Sequence, residues 1–310
     1  MSGNRAGADA VPGAMTRPKR SFRALPIPLL MSLLAACATA PTPSPVPVGS
    51  GSPTSGPTPS ATPVIVGIEH PTGATDVVLR VETGGGFVPA EFLATAAPSF
   101  TLYGDGTVVF RNPSAPPPDQ IGNVSRSVPF MTIKLGEVAI QQLLADAIGP
   151  GALGIAVGPY QGLGADVPTT TFTIAADGRT KSVSVVGLSP DMHPQDTGIV
   201  VALSKLAERL DAFGNAISNE EPFVPAGFRG ALMPIDQAVG AVTPWPWTTI
   251  QPTDFTKGLN AIFLTRTLTP ADVAGLGVPN PDGGFLGLTL RSGNRLYSFA
   301  LRPLLPDETS

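Results

Sequence analysis

The chain is sparing with side chains that do chemistry. It has two histidines, His70 in Glu69-His70-Pro71 and His193 in the run from Asp191 to Asp196. Asp191, His193 and Asp196 on one loop could offer oxygen and nitrogen to a divalent cation. Two carboxylates and one imidazole, with no cysteine or second histidine nearby, fall short of the usual donor sets. A solvated loop, with Asp196 capping the next helix, reads better. No metal and no cofactor is therefore expected. A serine nucleophile would want a Gly-x-Ser-x-Gly elbow, and the sequence has none. Gly84-Gly85-Gly86 precedes Phe87-Val88-Pro89 rather than a helix and lacks a Gly-Lys-Ser/Thr ending. It reads as a bulge or a close backbone approach, not a phosphate loop. Gly104-Asp105-Gly106 and residues 280–284 resemble calcium-loop fragments without the distal glutamate, so turn chemistry accounts for both. No catalytic residue is assigned.

Candidate ligand contacts lie in three places. Asp166 precedes Val167-Pro168-Thr169, and Tyr160 lies just upstream. A buried Asp166 would bond threonine hydroxyls or backbone amides, either as a structural cap or as a polar ligand site with Tyr160 and Thr169. His193 marks the second place. Trp245 and Trp247, separated by Pro246, would make an exposed aromatic patch for a sugar or protein, or serve in a core.

The elements that must position these residues follow from periodicity and punctuation. A strand is predicted over 76–82 and a hairpin over 100–103 and 107–111, turned by Gly104-Asp105-Gly106. A loop follows over 112–120. Residues 137–148 read as a helix with Ile140, Leu144 and Ile148 on one face, stopped by Gly149-Pro150-Gly151. A second hairpin spans 169–176 and 180–186. A long helix is predicted from Asp196 or Thr197 to about Phe213, with Ile199, Leu203, Leu206, Leu210 and Phe213 inward and Gly214-Asn215 as its stop. Beyond Glu220-Glu221-Pro222 come a strand over 261–267, a short helix capped by Thr269 with Pro270 first, and a hairpin over 285–291 and 295–301. The order predicts an α+β fold. An antiparallel sheet with helices packed on one face fills 64–220, and a smaller α+β lobe fills 221–310. One continuous domain is the alternative.

The N-terminus reads as an address. Residues 16–23 are basic and residues 24–34 are apolar, a length that fits a signal peptide and is too short to span a bilayer. Leu34-Ala35-Ala36-Cys37 resembles the bacterial lipobox, whose cysteine is acylated and becomes the first mature residue. Cys37 is the only cysteine, which excludes a disulfide scaffold. Residues 1–36 are thus expected to be a lipoprotein signal peptide, with Met15 as an alternative start. Residues 38–63 hold eight prolines, five serines and five threonines without a charge, and read as an extended tether.

Composition excludes further classes. Charged residues make up 14% of the chain, against about 25% in ordinary domains. The whole chain carries a net charge of −4. Removing residues 1–36 takes five basic side chains and one acidic, which leaves 14 basic and 22 acidic and a net charge of −8. Such a chain repels phosphate backbones, so nucleic acid is not an expected partner. The expected partners are the membrane, through the lipid on Cys37, and an envelope protein or small ligand not identified by the sequence.

The strings Gly84-Gly-Gly-Phe-Val-Pro89, Phe100-Thr-Leu-Tyr-Gly-Asp-Gly106, Asp166-Val-Pro-Thr-Thr-Thr-Phe-Thr173 and Arg302-Pro-Leu-Leu-Pro-Asp-Glu308 resemble a group of uncharacterised secreted lipoproteins of actinobacteria and similar bacteria. The resemblance covers most of residues 76–308. It implies an extracytoplasmic, lipid-anchored protein of two α+β parts, and it carries no activity and no catalytic residue. The expectation is a non-enzymatic binding or interaction domain on the outer face of the cytoplasmic membrane. An envelope hydrolase is the alternative, and a binder or inhibitor of secreted enzymes a third reading.

Overall fold

A computed structural model describes residues 67–112, 115–257 and 262–308. The expected signal peptide, Cys37 and the tether to residue 63 lie outside the described residues. The elements, in chain order, begin with β1 (Val77–Gly85), α1 (Ala90–Thr95), β2 (Phe100–Tyr103), β3 (Thr107–Phe110), β4 (Ser125–Arg126), β5 (Met131–Lys134) and α2 (Glu137–Ile148). There follow β6 (Pro168–Ala176), β7 (Arg179–Val186), α3 (Thr197–Asp211), β8 (Glu221–Pro222), β9 (Phe228–Ile235) and β10 (Val242–Pro244). The last are β11 (Thr256–Lys257), β12 (Leu264–Leu268), α4 (Pro270–Ala274), β13 (Phe285–Ser292) and β14 (Arg295–Pro303). Residues 63–310, which hold all of these, form one compact unit.

The fold is α+β, built on two sheets. The first has the order β7-β6-β1-β2-β3-β5-β8, with every neighbouring pair antiparallel. The second runs β10-β13-β14-β9-β12-β11, with β4 added against β13; its β10–β13 pair is parallel. The two Asp-Gly turns behave as their chemistry requires. Asp105 accepts the Thr107 amide at 2.9 Å while Gly106 takes φ +86°. Asp177 and Gly178 both sit at positive φ between β6 and β7.

Alternation along the strands separates two cores. Val81 lies opposite Phe100 and Phe172, and Phe100 opposite Phe110. These side chains share a cluster with Ile140 and Leu144 of α2 and Val200, Leu203, Leu206 and Leu210 of α3. Each fully buried side chain of this kind is worth about 1.5–3 kcal/mol. Residues of opposite parity, Tyr103 and Val109, form a separate cluster with Phe130 and with Leu305 from the chain's end. The second sheet buries its own cluster around Trp247, Phe255, Phe285 and Phe299.

Several local expectations are corrected. Asp196 occupies the N-cap position of α3 but makes no side-chain cap. Thr197 instead turns its hydroxyl back to donate to the His193 carbonyl at 2.9 Å. The helix ends at Asp211, before Gly214-Asn215, because Phe213 leaves the helical path and sits edge-on to Phe100 and Phe110. The strands β5 and β9 were not anticipated. By contrast, Thr269 caps α4 as expected: its hydroxyl accepts the Asp272 amide and the Asp272 carboxylate accepts the Thr269 amide.

Candidate functional site

The site begins where β1 stops. Past Val81 the strand exposes Glu82 and Thr83 and then runs into glycine. Gly85 and Gly86 take φ +73° and +79°. A Cβ on Gly86 would stand 3.0 Å from the Pro168 nitrogen, so the backbones approach closely there. The Phe87 amide then donates to the Asp166 carbonyl at 3.0 Å. Pro89 follows, and α1 starts. This helix rests Ala90 and Ala94 on Ala231 and Ala300 of the second sheet and on Phe263, which precedes β12. Its other face has nothing to bury. Phe87, Val88, Phe92 and Leu93 are 91%, 42%, 53% and 36% exposed, four large apolar side chains within seven residues.

Between α1 and the end of β1 lies a cleft of about 290 Å³. Val88, Phe92, Leu93 and Leu286 give it apolar walls, and Thr83, Thr95, Ser127 and Arg111 are its polar side chains. A second cavity of about 360 Å³ shares the Gly84-Gly85 and Ala96-Ala97 ridge with it and is lined by Glu82, Thr169 and Thr171. The volumes fall at the lower end of small-ligand sites.

Arg111 decides the electrostatics. Its guanidinium carbon stands 4.0 Å from the Phe130 ring centroid, and one of its terminal nitrogens donates to the Gly283 carbonyl at 3.0 Å. Its buried Nε has no hydrogen-bond partner. Among the described residues no carboxylate pairs with it. Burial, and then the neighbouring Arg302, pull its pKa down to about 10, so it remains a cation at neutral pH. The other arginines nearby are compensated. Arg302 makes a two-pronged contact with Glu308 at 2.6 and 2.7 Å, and Arg229 reaches the same carboxylate at 3.8 Å. Arg80 meets Asp307 at 2.6 Å.

Most residues singled out from sequence lie elsewhere. Thr169 lines the polar cavity. Asp166 is exposed at φ +57° and contributes its backbone carbonyl, not a buried carboxylate. Tyr160 is buried, and its hydroxyl accepts the Val157 amide at 2.9 Å. His193 is 2% exposed, with Nε2 3.0 Å from the carbonyls of both Val186 and Gly187. His70 lies against the Pro71 carbonyl and Glu137. Among the described residues neither imidazole makes a hydrogen bond to a hydroxyl. Among the described residues no group of three His, Cys, Asp or Glu side chains is arranged to hold a metal ion. Trp245 and Trp247 pack edge-to-face at 5.1 Å, and their ring nitrogens donate to the Ile250 and Asp272 carbonyls. Trp247 is buried and Trp245 partly so, and both belong to the second core rather than to an exposed patch.

Comparison with protein-family models, with curated proteins and with solved structures finds no match.

Reasoning from sequence missed Arg111, Ser127, Phe92 and Leu93. One signal was present: the run Phe87-Val-Pro-Ala-Glu-Phe-Leu93 is too short for a helix with two apolar faces, so part of it must be exposed. Arg111 left no such sign.

Proposed function

We propose that this protein is a lipid-anchored cell-envelope binding protein, tethered through Cys37 to the outer face of the bacterial cytoplasmic membrane. The folded unit presents a ligand cleft and performs no catalysis. The cleft lies between α1 and the end of β1. The observation that carries the reading is the cleft itself, whose lining joins apolar side chains to a partly buried Arg111 that pairs with no carboxylate among the described residues. A binding site needs such a convergence of apolar surface and a few polar groups, whereas catalysis would need a nucleophile and base in contact. No helix among the described residues is long and apolar enough to cross a membrane.

Native mass spectrometry of residues 63–310 after incubation with an envelope extract tests the reading. A reproducible added mass, lost when Phe92 is replaced by serine, is the expected result. A clean unliganded mass at every extract concentration overturns a small-ligand role. Replacing Cys37 with serine tests the anchor, since the variant should leave the membrane fraction.

A further inference from the structure

We propose that the cleft takes a single-chain amphiphile with a carboxylate head, the head against Arg111 and the chain along Val88, Phe92, Leu93 and Leu286; this rests on the reading of the protein as a binding module. The charge argument comes first. Arg302, Arg229 and Arg80 already have carboxylates, so an anion arriving there would have to displace Glu308 or Asp307. Arg111 has none, and its Nε–H is buried without an acceptor. A guanidinium without a counter-charge is disfavoured where water is scarce, and a carboxylate oxygen meets it better than a neutral oxygen does. One unpaired guanidinium matches one negative charge.

Shape sets the rest. Beyond Arg111 and Ser127, the side chains of Val88, Phe92, Leu93 and Leu286 form a carbon wall that suits methylenes, with Thr83 and Thr95 the further polar side chains of the lining. The far cavity carries Glu82, which repels an anion, so the head belongs at the Arg111 end and the chain runs towards the Gly84-Gly85 ridge. Val88, Phe92 and Leu93, exposed on 88–93, are then covered by the chain.

Calorimetric titration of residues 63–310 with decanoate, decanol and decyltrimethylammonium tests this. Decanoate is expected to bind one to one, with decanol at least about tenfold weaker and the ammonium compound weaker still. Shortening to octanoate weakens binding by up to about fourfold per methylene removed. Arg111→Gln brings decanoate down to the level of decanol, and Phe92→Ser weakens both. Should Arg111→Gln fail to fold, the comparison of heads on the unaltered protein decides alone. Equal binding of decanol and decanoate overturns carboxylate recognition while leaving a binding module. No binding by any of the three overturns the amphiphile itself, and the envelope-extract experiment then judges the binding reading separately.

Discussion

Tyr103 in β2 donates its phenol hydrogen to Asp307, 204 positions later in the chain, at 2.7 Å. The same carboxylate oxygen accepts from Arg80 at 2.6 Å. Burial, reinforced by the hydrogen bond to Asp307, pushes the Tyr103 hydroxyl well above the ordinary phenol range, so it stays a donor. This contact pins residues 306–308 to the first sheet through β1 and β2.

Acid should loosen that end. Burial acts to raise the Asp307 and Glu308 pKa values, but Arg80 and Tyr103 for the one, and Arg302 for the other, hold them below the usual carboxylate range. A group depressed in the folded state adds stability above its unfolded value, near 4, and loses it as pH falls through the folded value. The urea midpoint should therefore drop between about pH 5 and pH 3. Asp307→Asn combined with Glu308→Gln should flatten that slope; an unchanged slope would show that the contacts are not formed in solution.

Removing the hub carboxylate should cost more than removing one of its donors. Asp307→Ala is expected to lower the unfolding free energy by about 2–3 kcal/mol, because Arg80 and Tyr103 both lose their acceptor. Tyr103→Phe should cost about 1 kcal/mol. Urea denaturation of the two variants and the double variant measures the coupling, and additive costs would contradict the shared contact.

The two glycines at the cleft should respond differently to alanine. Both have positive φ, but a Cβ at Gly85 meets nothing within 4 Å whereas at Gly86 it meets the Pro168 nitrogen at 3.0 Å. Gly85→Ala should cost about 1 kcal/mol from the left-handed backbone alone. Gly86→Ala should cost about 1–2 kcal/mol more, since backbone must move. Equal costs by chemical denaturation would refute the close approach.

Trp247→Ala should destabilise by about 3–5 kcal/mol, as expected for a large buried ring, and leave decanoate binding unchanged in whatever fraction stays folded. Phe87→Ser, at a 91% exposed position, should fall within about 0.5 kcal/mol of the unaltered protein. Thermal melts of both variants check the contrast. A near-neutral Trp247→Ala would return the tryptophans to the surface.

Because both neighbours of His193 Nε2 are carbonyl oxygens, that nitrogen must carry a proton. Nitrogen-15 shifts of the ring should report Nε2–H, and an Nδ1–H tautomer would contradict the loop geometry.

Much of the local structure was legible along the chain. The Asp-Gly turns at 105–106 and 177–178, the bounds of α2, and the Thr269 cap of α4 depend on residues within a few positions of each other, and all appear where expected. The strand β9 was not legible. It lies between β14 and β12 and buries residues on both sides, so Phe228-Arg-Gly-Ala-Leu-Met-Pro-Ile235 shows no clean alternation. Its pairing partners come later in the chain, beyond the range of any local pattern.

The candidate site divides along the same line. The triple glycine announced a close backbone approach, and glycine's lack of a Cβ is reason enough. Thr169 was the one singled-out residue that reached a wall of the groove, because it neighbours that approach across β1. Nothing around Arg111 in the sequence distinguishes it from any arginine after a strand. Its isolation from carboxylates depends on Phe130, Gly283 and Arg302, brought to it by chain closure from up to 191 positions away. Turns and caps follow from short-range sterics and hydrogen bonding, so the order of residues suffices for them. Burial and charge compensation are sums over neighbours that only folding assembles, which is why the tryptophans went to the core and an arginine was left facing an apolar cleft.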